Sequence, residues 1–131
     1  MRAGAAGVLV GFGGVATSAN RQTIGVSIPM ATAISDVAEA RRDYMDESGG
    51  RYVQVIADGS MGESGSFVTA LAMGADAAML GAPLARAQEA PGHGTHWGSE
   101  ARHATLPRGL RSEVGTVGTL QEILYGPSHK A

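Results

Sequence analysis

Twice between Arg51 and Arg86 the chain runs through a short apolar segment and stops on a glycine, in VQVIADG at Val53–Gly59 and again in AAMLG at Ala77–Gly81. β-Branched and small apolar residues followed by turn formers describe strands that end abruptly. Between them Ser64 is placed to cap a helix with Phe67, Ala70 and Leu71 on one buried face, and Gly74 stands where a helix C-terminal glycine belongs. Strand, loop, helix and strand within about thirty residues make a βαβ unit, and such a unit implies a parallel sheet. Neither apolar run alternates cleanly, the pattern of strands covered on both faces by helices or a barrel interior.

In a parallel array the chemistry collects at the carboxyl ends of the strands. Asp58-Gly59-Ser60 and Gly81-Ala82 would share that rim. Small residues there let backbone N–H groups approach an anion, and Asp58 is the one charged residue able to accept hydrogen bonds from ligand hydroxyls. The same residues also suit a plainer role, glycines closing tight turns and Asp58 capping one.

A chain of 131 residues has room for one domain with a modest core. Its formal charge of −2 and lack of any basic cluster argue against a nucleic-acid partner. No apolar run approaches a membrane span and nothing at Met1 resembles a signal peptide, so a cytoplasmic protein is expected. Cysteine is absent, which removes disulfides, thiolate metal sites and a cysteine nucleophile. The 20 glycines are roughly double the usual share and gather at strand ends and loops, where a ligand site built from backbone needs them.

The remaining segments extend the pattern. Gly7–Gly11 is a strand leaving through Gly11-Phe12-Gly13-Gly14, whose spacing does not fit a dinucleotide fingerprint. Thr32 or Ser35 can open a helix reaching about Glu47, with Ile34, Val37, Ala38, Tyr44 and Met45 near one face and the Arg41 stem snorkelling past it. Arg41-Arg42-Asp43 and Asp46-Glu47 read as a solvated helix face. The expected architecture is α/β: parallel strands near 7–11, 52–57 and 77–80, then a loop-rich segment over 87–131, all in one domain. A closed eight-stranded barrel takes about 250 residues, so these strands amount to part of one, with unpaired edges at both ends.

Several ordered motifs now become specific: Val10-Gly11-Phe12-Gly13, Pro29-Met30-Ala31-Thr32-Ala33, Ile56-Ala57-Asp58-Gly59, Gly74-Ala75-Asp76, Met79-Leu80-Gly81 and Glu89-Ala90-Pro91-Gly92. Together they resemble the IMP dehydrogenase/GMP reductase family. Ala40-Arg41-Arg42-Asp43-Tyr44, His96-Trp97-Gly98-Ser99-Glu100, Gly115–Leu120 and Gly126-Pro127-Ser128 bring the likeness nearest to the IMP dehydrogenase family protein paralogue group. The resemblance implies the last three strands of a TIM (β/α)8 barrel. It also implies oxidation of a purine nucleotide, IMP, with NAD as hydride acceptor, and a homo-oligomer when full length.

Residue by residue, the resemblance gives Asp58 the ribose hydroxyls and Gly59 the phosphate, with Ser60 in place of a second glycine. Gly81 matches the next phosphate position and Ala82 replaces the usual serine. The family's nucleophilic cysteine aligns with Ser18, a far weaker nucleophile that lacks an evident partner base. In the potassium loop Gly13 matches one glycine and Val15 replaces another, and the phosphate-contacting tyrosine aligns with Val114. No metal site is assigned: His93, His96, His103 and Glu100 are spaced more loosely than structural zinc ligands and read as a solvated loop. Trp97 reads as an anchor for that loop and Arg21 as a surface side chain. Three functions remain open: an IMP dehydrogenase-type oxidoreductase, a non-catalytic purine-nucleotide-binding relative, and an FMN-dependent barrel oxidoreductase.

Overall fold

A computed structural model describes residues 1–11, 25, 28–59, 61–97 and 111–127. Its centre is a three-stranded sheet of β1 (Gly7–Val10), β2 (Gln54–Asp58) and β3 (Ala77–Met79), in that order and parallel throughout. The connections carry α1 (Met30–Ser48) and α2 (Ser64–Ala72). Further along lie α3 (Ala82–Ala85), an antiparallel pair β4 (Thr95–Trp97) and β5 (Arg111–Glu113), and α4 (Leu120–Tyr125).

The core sits between the sheet and its two helices. Val10, Val55 and Ala57 point from the strands onto Ile34 of α1 and Ala70 of α2, and Met61 and Ala75 close the ends. Successive strand residues face opposite sides, so Leu9, Ile56, Ala77 and Met79 share the other face. That face has no helix among the described residues, and Leu9 remains 55% and Met79 46% exposed. The sequence does not alternate because both faces are apolar; burial alternates because only one is covered here.

Helix ends depart from the sequence expectation in two places. The residue at the N-cap of α2 is Glu63, and Ser64 is already helical without a capping bond, because Glu63 holds the extended backbone that a cap requires. Of the expected buried trio only Ala70 is buried, while Phe67 and Leu71 remain exposed beside the uncovered flank of the helix. Helix α1 opens earlier than Thr32, at Met30, with Pro29 preceding it and its carbonyl accepting from the Ala33 N–H. Gly74 closes α2 in a Schellman pattern, its N–H donating to the Leu71 carbonyl and that of Ala75 to the Ala70 carbonyl.

The segment after residue 87 is knit back onto the chain before it. Gln88 and Val117 N–H groups donate to the Gly118 and Arg86 carbonyls, forming a parallel bridge. Thr119 and Glu122 form a capping box on α4, and Glu89 accepts from the Leu120 N–H. These local donors hold Glu122 in its ionised form, with the Thr119 N–H and hydroxyl depressing its carboxyl.

Candidate functional site

Strand register places the site. Val10 pairs with Ala57 and Asp58 with Met79, so one further step puts Gly11 beside Asp58 and two further put Gly81 past Met79. Gly11, Asp58-Gly59 and Gly81-Ala82 thus occupy neighbouring stations at the carboxyl ends of parallel strands, the position at which α/β sheets bind ligands. Asp58 shares its sheet face with Ile56 and Met79, the face without helices. Asp58 is half-buried as a residue, and among the described residues no side chain pairs with its carboxylate. Gly59 turns the chain away at φ 118°, a conformation that favours glycine.

At Gly11 the constraint is severe. Its φ is 132°, and a Cβ there would overlap the Asp58 carbonyl oxygen and lie 2.9 Å from Met30 Sδ. A side chain would push the two strand exits apart and carry Asp58 with them. The glycine therefore fixes where the carboxylate stands.

Gly81 is small for a different reason. Its φ of −124° suits any residue, but a Cβ would meet His96 Nε2 at 2.9 Å. The imidazole of β4 is laid against the strand exit where the resemblance puts a phosphate. Sequence reasoning left His96 in a solvated loop, because nothing in local spacing joins residue 96 to residue 81. Gly81→Ala is expected to lower stability by about 1 kcal/mol, the ring tip being able to give a little, and His96→Ala in the same chain should return that loss. Chemical denaturation of the two single variants and the double variant measures the coupling; a Gly81→Ala penalty that is the same with and without His96 would sink the assignment.

Of the other positions singled out from sequence, Ser18, Ser60, Arg21, Glu100 and His103 lie outside the described residues, as do Gly13 and Val15. Val114 follows β5 and donates its N–H to the Gly94 carbonyl, which ties it into the β4–β5 hairpin. Trp97 lies against Gly92, where a Cβ would come within 3.0 Å of the indole, and so anchors its own hairpin. Among the described residues no three His, Asp or Glu side chains gather as a metal group, and no helix is long and apolar enough to cross a membrane.

The opposite end of the sheet carries a cluster that sequence reasoning missed. Arg41, read as part of a solvated face, is only 11% exposed at its side chain. It donates to Asp76 Oδ2 at 2.7 Å, to the Tyr52 hydroxyl at 2.8 Å and to the Gly74 carbonyl at 3.1 Å, with its guanidinium 4.7 Å from the Tyr52 ring centre. Tyr52 in turn donates to Asp76 Oδ1, and the Val55 N–H donates to Oδ2 at 2.7 Å. Burial resists charge on Asp76, but the Tyr52 and Val55 donors and the Arg41 cation outweigh it and hold the carboxyl below its ordinary range. This clamp joins α1 to the start of β2 and β3, away from the candidate site.

Residues 1–116 match the family described as IMP dehydrogenase / GMP reductase domain. An uncharacterized oxidoreductase of Mycobacterium leprae is 52% identical over 98% of this chain and 35% of its own length. An inosine-5'-monophosphate dehydrogenase of Thermoplasma acidophilum is 49% identical over 66% of this chain and 16% of its own. The crystal structure of an IMP dehydrogenase/GMP reductase-like protein from Corynebacterium glutamicum superposes with a TM-score of 0.82 at 53% identity, covering 98% of this chain and 34% of that one. The chain thus spans about a third of the length of the relatives it matches most fully.

Proposed function

The chain belongs to the IMP dehydrogenase/GMP reductase family, and from that membership we propose that it forms the nucleotide-holding part of a (β/α)8-barrel oxidoreductase acting on a purine nucleotide. The observation that carries the reading is the shared rim: a half-buried residue, Asp58, whose carboxylate is unpaired among the described residues and which is set between the glycine exits Gly11 and Gly81. A carboxylate suits ribose hydroxyls, and backbone amides at Gly59, Gly81 and Ala82 suit a phosphate. Ser60 and Ser18 enter this proposal from the family resemblance alone. The bare apolar sheet face of Leu9, Ile56 and Met79 supports the barrel, whose interior would seal it.

NAD would serve as hydride acceptor in IMP oxidation. The proposal assigns neither NAD nor potassium a contact among the described residues. A homo-oligomer in the cytoplasm belongs to the same proposal. Because the sequence has no cysteine, it supplies no thiolate for a covalent intermediate. That absence favours a second reading, a relative that holds the nucleotide without turning it over.

One experiment serves both. In a chimera where this chain replaces the matching third of the Mycobacterium leprae relative, IMP is titrated calorimetrically and NADH absorbance is followed. Asp58→Ala should weaken IMP binding by about 1–3 kcal/mol, the cost of losing a charged hydrogen-bond partner, while Ser18→Ala leaves it unchanged. Unaltered affinity in Asp58→Ala removes the ribose assignment. NADH formation that depends on Ser18 overturns the non-covalent reading of that loop.

A further inference from the structure

The hairpin of β4 and β5 carries one ionisable side chain to the candidate site. Thr95 pairs with Glu113, His96 with Ser112 and Trp97 with Arg111. Successive strand residues face opposite sides, so His96 and Ser112 share one face and the other four share the second. The second face is occupied within the hairpin: the Thr95 hydroxyl donates to Glu113 Oε1 at 3.1 Å, and the Trp97 indole lies against Gly92. The His96 face meets the exit of β3. There the imidazole comes end-on, for a Cβ at Gly81 would stand 2.9 Å from Nε2, 3.6 Å from Cε1 and 3.9 Å from Cδ2. Allowing one carbon–carbon bond, Nε2 lies within about 4.4 Å of the Gly81 Cα.

This imidazole is half-buried, and among the described residues no hydrogen bond or ion pair engages it. The Gly81 and Ala82 N–H groups beside it likewise donate to no carbonyl among the described residues. Two amide donors and an imidazole thus meet at one strand exit without an acceptor. Charge sharpens the point. Asp58 is the one charged residue among Gly11, Asp58, Gly59, Gly81 and Ala82, and a carboxylate repels a phosphate. Helix α3 has only four residues, too few for its dipole to offset that repulsion. His96 is the group at this exit that can offer a side-chain hydrogen bond and, when protonated, a positive charge.

We propose that His96 is a ligand-binding residue whose Nε2 donates to the phosphate of a nucleoside monophosphate held at this rim, so that the hairpin selects phosphorylated over unphosphorylated nucleoside. A phosphate oxygen at about 2.7–3.2 Å from Nε2 leaves the other oxygens of the anion free to accept from Gly81 and Ala82. The inference rests on the nucleotide reading of the Asp58 rim and adds to it a residue from outside the βα units.

The test titrates the 131-residue chain with IMP, inosine and inorganic phosphate while NMR follows the imidazole nitrogens and the backbone amides. IMP and phosphate should both move the His96 imidazole, and IMP and inosine should both move the Asp58 and Gly11 amides. His96→Leu keeps bulk against Gly81 and should weaken IMP by at least about tenfold, the worth of one charged hydrogen bond, with inosine unchanged. His96→Gln restores an N–H donor at similar reach and should bind IMP at least about threefold better than His96→Leu. An imidazole unmoved at saturating IMP overturns the inference and leaves the nucleotide reading standing. Equal weakening of IMP and inosine in His96→Leu does the same, because the ring would then only prop the strand exit, and so does a His96→Gln variant no better than His96→Leu. An imidazole that answers phosphate, while neither IMP nor inosine moves Asp58 or Gly11, upholds the anion contact and removes the nucleotide reading. Silence towards all three ligands overturns both.

Discussion

Gly11→Ala should destabilise the chain by about 3 kcal/mol or more, combining left-region backbone strain with overpacking against a neighbouring strand. Two separate costs meet at this residue. Alanine at φ 132° is strained wherever it stands, and here its Cβ would also overlap the Asp58 carbonyl oxygen. Met30 Sδ, at 2.9 Å, can swing aside, but the carbonyl cannot move without β2. Gly49→Ala provides the comparison: its φ is 72° and nothing lies within 4 Å of the added methyl. That variant should lose about 1 kcal/mol, the backbone term alone. Urea unfolding of both separates clash from strain. Equal losses would show that the β1–β2 exit has room to relax, and the close approach of Gly11 to Asp58 would then not be what positions the carboxylate.

Removing the carboxylate of the second cluster should have a comparable effect and a distinct pH signature. Asp76→Ala deprives Arg41, the Tyr52 hydroxyl and the Val55 N–H of their common acceptor, at an expected cost of about 2 kcal/mol for a partly buried charged hydrogen-bond partner. The sign with pH follows from its depressed carboxyl. A group more acidic in the folded than in the unfolded chain contributes its stability above the unfolded value, near 3.9 for aspartate, and loses it as pH falls through the folded value. Acid unfolding should therefore be steeper in the unmodified chain than in Asp76→Ala, with the two stabilities converging at the acid limit. Parallel pH profiles would mean that Asp76 titrates normally and that the clamp is a surface pair. Arg2 and Glu47 make such a surface pair, largely solvated, and its removal should alter little.

The fold was legible where the signal was local. Apolar runs of strand length ending on Gly11, Gly59 and Gly81 mark three parallel strands, since a strand exit needs turn residues whatever surrounds it. The rim residues Asp58, Gly59, Gly81 and Ala82 followed from the same rule, because parallel strands present all their carboxyl ends together. The absence of cysteine needed no structure to exclude a thiolate. Tertiary structure decided what depends on residues far apart in sequence. Arg41, Tyr52 and Asp76 look like ordinary surface residues until folding brings them together across separations of 11 and 35 residues. Gly81 resembles any turn glycine until His96 is laid on it. Helical periodicity in α1 shows which side a residue such as Val37 or Tyr44 takes, but not whether a neighbour covers it. Pattern along the chain is set by local backbone geometry; which faces are filled, and by what, is set by packing between elements that the pattern does not encode.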